Sequence, residues 1–112
     1  MSKFEEVLDK YQAEVKKLGL KINSDLLTAV AKGLGPSLYR KDAETVSTSS
    51  PQELETIKKN FLIKKLGLKD DPKLDTALDE ASEAMGRSNR NKYRAIFYAL
   101  LVQKFKKESV YK

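Results

Sequence analysis

Six residues occur twice in this chain. Lys16-Lys17-Leu18-Gly19-Leu20-Lys21 returns forty-eight positions later as Lys64-Lys65-Leu66-Gly67-Leu68-Lys69. At the same offset Leu26, Thr28 and Ala29 match Leu74, Thr76 and Ala77, so nine of fifteen aligned residues are identical. Each copy reads as the close of one helix, a glycine reversal and the approach to another. Lysines favour the negative end of a helix, and glycine takes the left-handed conformation that stops it. The expected architecture is a duplicated helical hairpin, with related halves over about 1–46 and 51–112 of one 112-residue domain.

Start and stop signals punctuate the rest of the chain. Ser2 and Glu5 form a capping box for a first helix from about Lys3 to Leu18. Its Phe4, Val7, Leu8, Tyr11, Val15 and Leu18 share one face. Asn23 or Ser24 caps a second helix, expected to stop at Gly33. Pro36 suits the first turn of a short helix through Arg40, and Asp42 a brief turn to Val46. Ser47-Thr48-Ser49-Ser50 reads as a mobile loop, a solvated connector in preference to a phosphorylation site. Ser50-Pro51-Gln52-Glu53 supplies an N-cap, a proline at the first helical position and a capping-box Glu. It opens a third helix through Leu66. Asp71-Pro72 opens a fourth that Gly86 closes, and Ser88 or Asn89 is expected to cap a fifth running to about Lys107.

No segment alternates with period two for long enough to form a strand. The expected fold class is therefore all-α, a compact multihelical domain of five main helices. The third and fifth are apolar on most sides, which places them at the centre.

Composition narrows the function. The chain has no cysteine and no histidine, so disulfides, thiol nucleophiles, Cys/His metal sites and the usual neutral-pH acid/base group are excluded. No metal, cofactor or catalytic residue is expected, and the reading is non-enzymatic. Adjacent carboxylates such as Asp70-Asp71 and Asp79-Glu80 do not share a helix face and read as a solvated acidic surface. The longest apolar run, Ala95 to Val102, falls far short of the roughly twenty residues that cross a bilayer. The charged opening, Met1-Ser2-Lys3-Phe4-Glu5-Glu6, lacks the apolar stretch of a signal peptide. No membrane association and a cytoplasmic location are expected.

Charge is unevenly placed. From Gly86 to Lys112 eight cations face one anion, a local +7 in a chain whose net charge is +6. Acidic residues suit the positive end of a helix. Glu5, Glu53 and Asp71 obey that rule, but the expected start of the fifth helix carries Arg87, Arg90, Lys92 and Arg94. A phosphate or other anion on the first amides, gripped by Arg87 and Arg90, would offset the misplaced charge. The candidate partner-binding residues are accordingly Arg87, Ser88, Asn89, Arg90, Asn91, Lys92 and Arg94. Pairing with the acidic fourth helix (Asp70, Asp71, Asp75, Asp79, Glu80, Glu83) is the competing explanation, and the favoured one.

Ala31-Lys32-Gly33-Leu34-Gly35-Pro36 resembles the turn of a helix-hairpin-helix motif. That resemblance implies phosphate-backbone contacts from the amides of Gly33 and Gly35. A helix stop followed by a helix start explains the same residues more simply.

Longer runs carry a resemblance over nearly the whole chain: Gly33-Leu34-Gly35-Pro36-Ser37, Asn60 to Leu68, Gly86 to Ala95 and Lys107 to Tyr111. The chain resembles a bacterial family known as domain of unknown function 2853. The resemblance implies a compact multihelical protein and supplies no activity and no site residues. The expected function is that of a small binding or interaction protein. Its partner is either a protein, including a second copy of the chain, or nucleic acid held through phosphates without sequence preference.

Overall fold

The glycine of each repeated hexapeptide adopts the left-handed conformation that ends a helix, Gly19 at φ 70° and Gly67 at φ 72°. The computed structural model describes residues 3–40, 44–86, 89 and 92–111, apart from the side chains of Pro36 and Ser37. The first copy closes α1 (Lys3–Leu18), where the Leu20 amide donates to the Val15 carbonyl at 3.0 Å. In the second copy the Leu68 amide donates to the Leu62 carbonyl at 3.1 Å, one residue further back. The extra residue comes from a wider turn upstream: α3 (Pro51–Ile57) continues as a π-helix over Lys58–Ile63. There the Lys64 amide reaches the carbonyl of Lys59, five residues back. The π turn also brings Ile57 and Leu62, five apart, to face inward together, both essentially buried.

The offset of forty-eight extends to the caps that follow. Asn23 caps α2 (Ser24–Leu34) and Asp71 caps α4 (Pro72–Ala84). Each side chain accepts from the amide two residues on, at 2.8 Å in both helices. Thr28 and Thr76 each donate back to the carbonyl four residues earlier. The Ser50 hydroxyl accepts from the Glu53 amide at 3.3 Å and Pro51 begins α3, as its sequence requires.

Two expected boundaries differ. The second helix runs through Gly33 and stops at Gly35, whose φ of 59° supplies the reversal. A 3-10 turn over Gly35–Tyr39 follows. The fifth helix, α5 (Arg94–Lys104), does not begin at Ser88 or Asn89. Lys92 and Tyr93 are extended instead, because Val46 donates to the Lys92 carbonyl at 2.8 Å and Thr45 and Tyr93 form an isolated antiparallel bridge. The Ser2 capping box and the Asp42 cap lie outside the described residues.

The fold is all-α, with five α-helices and no strand longer than that bridge among the described residues. α5 is central, with Ala95, Ile96, Phe97, Ala99, Leu101 and Val102 all buried. It packs on α1, α2 and α4. The third helix is not its main partner, contrary to expectation: it meets α5 through Phe61, stacked on Tyr98 with ring centroids 4.0 Å apart, while α2 and α4 cover α5 more extensively. Tyr11, Val15 and their neighbours lay the apolar stripe of α1 over this core. A radius of gyration of 13.0 Å matches the roughly 13 Å of a folded chain of about 100 residues. No helix among the described residues is long and apolar enough to cross a membrane.

Candidate functional site

α5 begins at Arg94, after most of the basic segment expected to form its first turns. Arg87, Ser88, Arg90 and Asn91 lie outside the described residues. Asn89, Lys92 and Arg94 are described, and each is turned toward the protein. The Asn89 carboxamide donates to the Met85 carbonyl at 3.0 Å, covering the C-terminus of α4. The Lys92 ammonium donates to the Asn89 carbonyl at 2.7 Å, and the residue is only 4% exposed. The Lys92 charge is thus held by a loop carbonyl in the connection between α4 and α5.

Arg94 is the first residue of α5. Its guanidinium donates to Glu53 Oε1 at 2.8 Å, to the Tyr98 hydroxyl at 3.1 Å and to the Thr45 carbonyl at 3.4 Å. Burial opposes its charge, but the bonds to Tyr98 and Glu53 outweigh that and hold its pKa above the ordinary arginine value. Glu53, expected to complete a capping box on its own helix, is used here to neutralise the start of another. For Arg94 a counter-charge is supplied by Glu53 of α3. Of the acids on and beside α4, Asp70 and Asp75 pair with Lys58, and Glu80 with Lys104 at 2.8 Å.

The turn resembling a helix-hairpin-helix does not offer its amides. Gly33 lies inside α2, and the Gly35 amide donates to the Lys32 carbonyl. A Cβ placed on Gly33 would meet Tyr111 Cε1 at 3.4 Å, since the C-terminal 3-10 turn (Glu108–Tyr111) folds against that helix. Gly33 is thus a residue within the helix and Gly35 its stop.

Buried titratable groups elsewhere are also committed internally. The Tyr11 hydroxyl donates to Glu44 Oε2 at 2.9 Å, which Lys10 also contacts at 2.6 Å. Burial, then the Glu44 carboxylate, drives the Tyr11 pKa far above that of a free tyrosine. Among the described residues no buried side-chain polar atom lacks a partner, and no cluster of carboxylates could hold a metal.

Among the described residues two clefts exceed about 400 Å³, well within the range of ligand sites. One, of about 610 Å³, lies between the start of α2 and the C-terminal turn, with Asp25, Lys106, Glu108 and Ser109 on its walls. The other, of about 440 Å³, is lined by Phe4, Ala31, Lys32, Gly35, Leu38 and Tyr39. Neither was apparent from the sequence. The available signal for the second was the run Leu38-Tyr39-Arg40, which places a large ring and a cation side by side on a turn.

The family model for a protein of unknown function, DUF2853, matches residues 10–109. No curated relative matches the chain. The chain belongs to the DUF2853 family.

Proposed function

We propose that this member of the DUF2853 family is a non-enzymatic binding protein for an anionic partner. The observation that carries the reading is the set of exposed cations without an ion-pair partner among the described residues. These include Lys16, Lys21, Lys32, Arg40, Lys64 and Lys69, spread over several elements. Such charge is screened by salt and contributes little to folding, so its natural use is long-range attraction of opposite charge. The lack of histidine and cysteine, and the internal commitment of Tyr11 and Arg94, support a non-catalytic role.

Fluorescence anisotropy with a labelled polyglutamate peptide, a duplex oligonucleotide and a single-stranded one tests this reading. At least one of the three should bind, and its affinity should fall as salt rises from about 50 to about 200 mM. Tighter retention of the oligonucleotides than of the peptide would assign the anion to nucleic-acid phosphates. Failure of all three to bind at low salt overturns the proposal.

A further inference from the structure

We infer that the groove between α1, α2 and the Gly35–Tyr39 turn is a docking site for an acidic amphipathic helix of another protein. This rests on the reading of an anionic partner and names where and how that partner is held. The groove has an apolar floor, made by Phe4, Ala31, Leu38 and Tyr39. Its volume of about 440 Å³ lies within the range of ligand-binding clefts. Tyr39 is 43% exposed and, with Val110, one of two exposed large apolar side chains among the described residues. Tyrosine is also among the residues most enriched at interface hot spots.

Among the described residues that line the groove the one charge is positive. Lys32 lines the groove, and the Lys3 ammonium sits 5.2 Å from the centroid of the Tyr39 ring. Arg40 follows Tyr39 and is exposed. None of these three cations has an ion-pair partner among the described residues. An apolar trough flanked by unneutralised cations is complementary to a helix with leucine-type anchors on one face and carboxylates on its flanks. A helix fits the trough's construction, since two helices and a 3-10 turn form a furrow for side-chain ridges and leave no strand edge to extend. The larger cleft beside Lys106 offers no such preference, because Asp25 and Glu108 oppose its lysine.

The test is an NMR titration of the full chain with a synthetic helical peptide carrying leucines at i, i+3, i+4 and i+7 and glutamates on both flanks. Amide shifts should centre on Phe4, Ala31, Lys32, Gly35 and Tyr39. Tyr39→Ala and Lys32→Glu should each weaken binding by at least about fivefold. Lys59→Glu, which makes the same charge change at a lysine already paired with Glu55 and outside the set of unpaired cations, should weaken it by less than about twofold. All three positions are exposed, and circular dichroism checks that each variant folds.

An equal loss with Lys59→Glu overturns the groove while leaving a general anionic partner intact. So does a shift pattern centred elsewhere, or preferential binding of a single-stranded oligonucleotide or of phosphatidylglycerol vesicles. A dimer that buries Tyr39, seen by light scattering, would make a second copy the occupant and also overturn it. Absence of any binding to the peptide, the oligonucleotide and the vesicles removes both readings.

Discussion

Arg94 and Glu53, forty-one residues apart, form an ion pair at 2.8 Å that joins the first turn of α5 to the first turn of α3. The pair answers a local electrostatic problem with a distant residue. An arginine at the positive end of a helix is unfavourable by itself, and Tyr93 supplies no side-chain cap to that end. Glu53 neutralises the guanidinium, and Thr45 and Tyr98 take further donors. Both partners are largely covered, with side chains 17% and 29% exposed.

Replacing Glu53 by Gln should therefore destabilise the protein by about 2 kcal/mol, because a charge-assisted bond is lost and a half-buried cation is left. Urea unfolding measures the loss. Combining Glu53→Gln with Arg94→Met should give a total smaller than the sum of the two single effects. Strict additivity would show that the pair does not couple these helices.

Gln103 acts as a removable piece of backbone. Its Oε1 accepts from the Asn23 amide at 2.9 Å, and its Nε2 donates to the Lys21 carbonyl at 2.8 Å. Gln103→Ala should cost about 1–2 kcal/mol, two modest bonds at partly exposed groups. Faster hydrogen exchange of the Asn23 amide, with amides in the middle of α5 unchanged, would locate the effect. Unaltered exchange at Asn23 would mean that solvent replaces the side chain without penalty.

Lys106 is the one described non-glycine residue with a positive φ, at 55°. It occupies the reversal after α5, where the Lys107 amide donates to the Val102 carbonyl at 2.9 Å, the position held by glycine after α1. Relief of the left-handed strain exceeds the extra freedom glycine gains in the unfolded chain. Lys106→Gly should raise stability by about 0.5–1 kcal/mol. A thermal melt showing no gain would count against strain at this turn.

Alkaline pH should destabilise the protein through buried Tyr11 and half-buried Tyr111. Burial pushes the Tyr111 pKa from 10.0 up to about 12, with nearby Tyr98 adding to the shift. Tyr11 is driven up as well, by burial and by Glu44. For a group raised on folding, the stabilisation is complete below the unfolded pKa and is lost as pH rises through the folded one. Stability should thus hold up to about pH 10 and fall from there to about pH 12. In urea melts, Tyr111→Phe should flatten part of that decline while leaving the neutral-pH behaviour of Tyr11 intact. An unchanged slope would indicate that Tyr111 ionises without unfolding.

The sequence by itself determined where most helices begin and end. Ser50, Asp71 and Asn23 cap helices because the orphan amides they satisfy lie within three residues. Gly19, Gly67 and Gly86 close helices because a positive φ depends only on the missing side chain at that position. The recurrence of cap and glycine at an offset of forty-eight was legible for the same reason. Tertiary structure decided the rest. α5 begins at Arg94 because Thr45 and Val46, far upstream, hold Lys92 and Tyr93 extended. Lys92 turned inward, Glu53 abandoned its own helix for Arg94, and a groove opened beside Tyr39 only when α1, α2 and the turn met. Caps and reversals are set by bonds within one turn, whereas the charge balance and shape of a surface depend on residues that are neighbours in space alone.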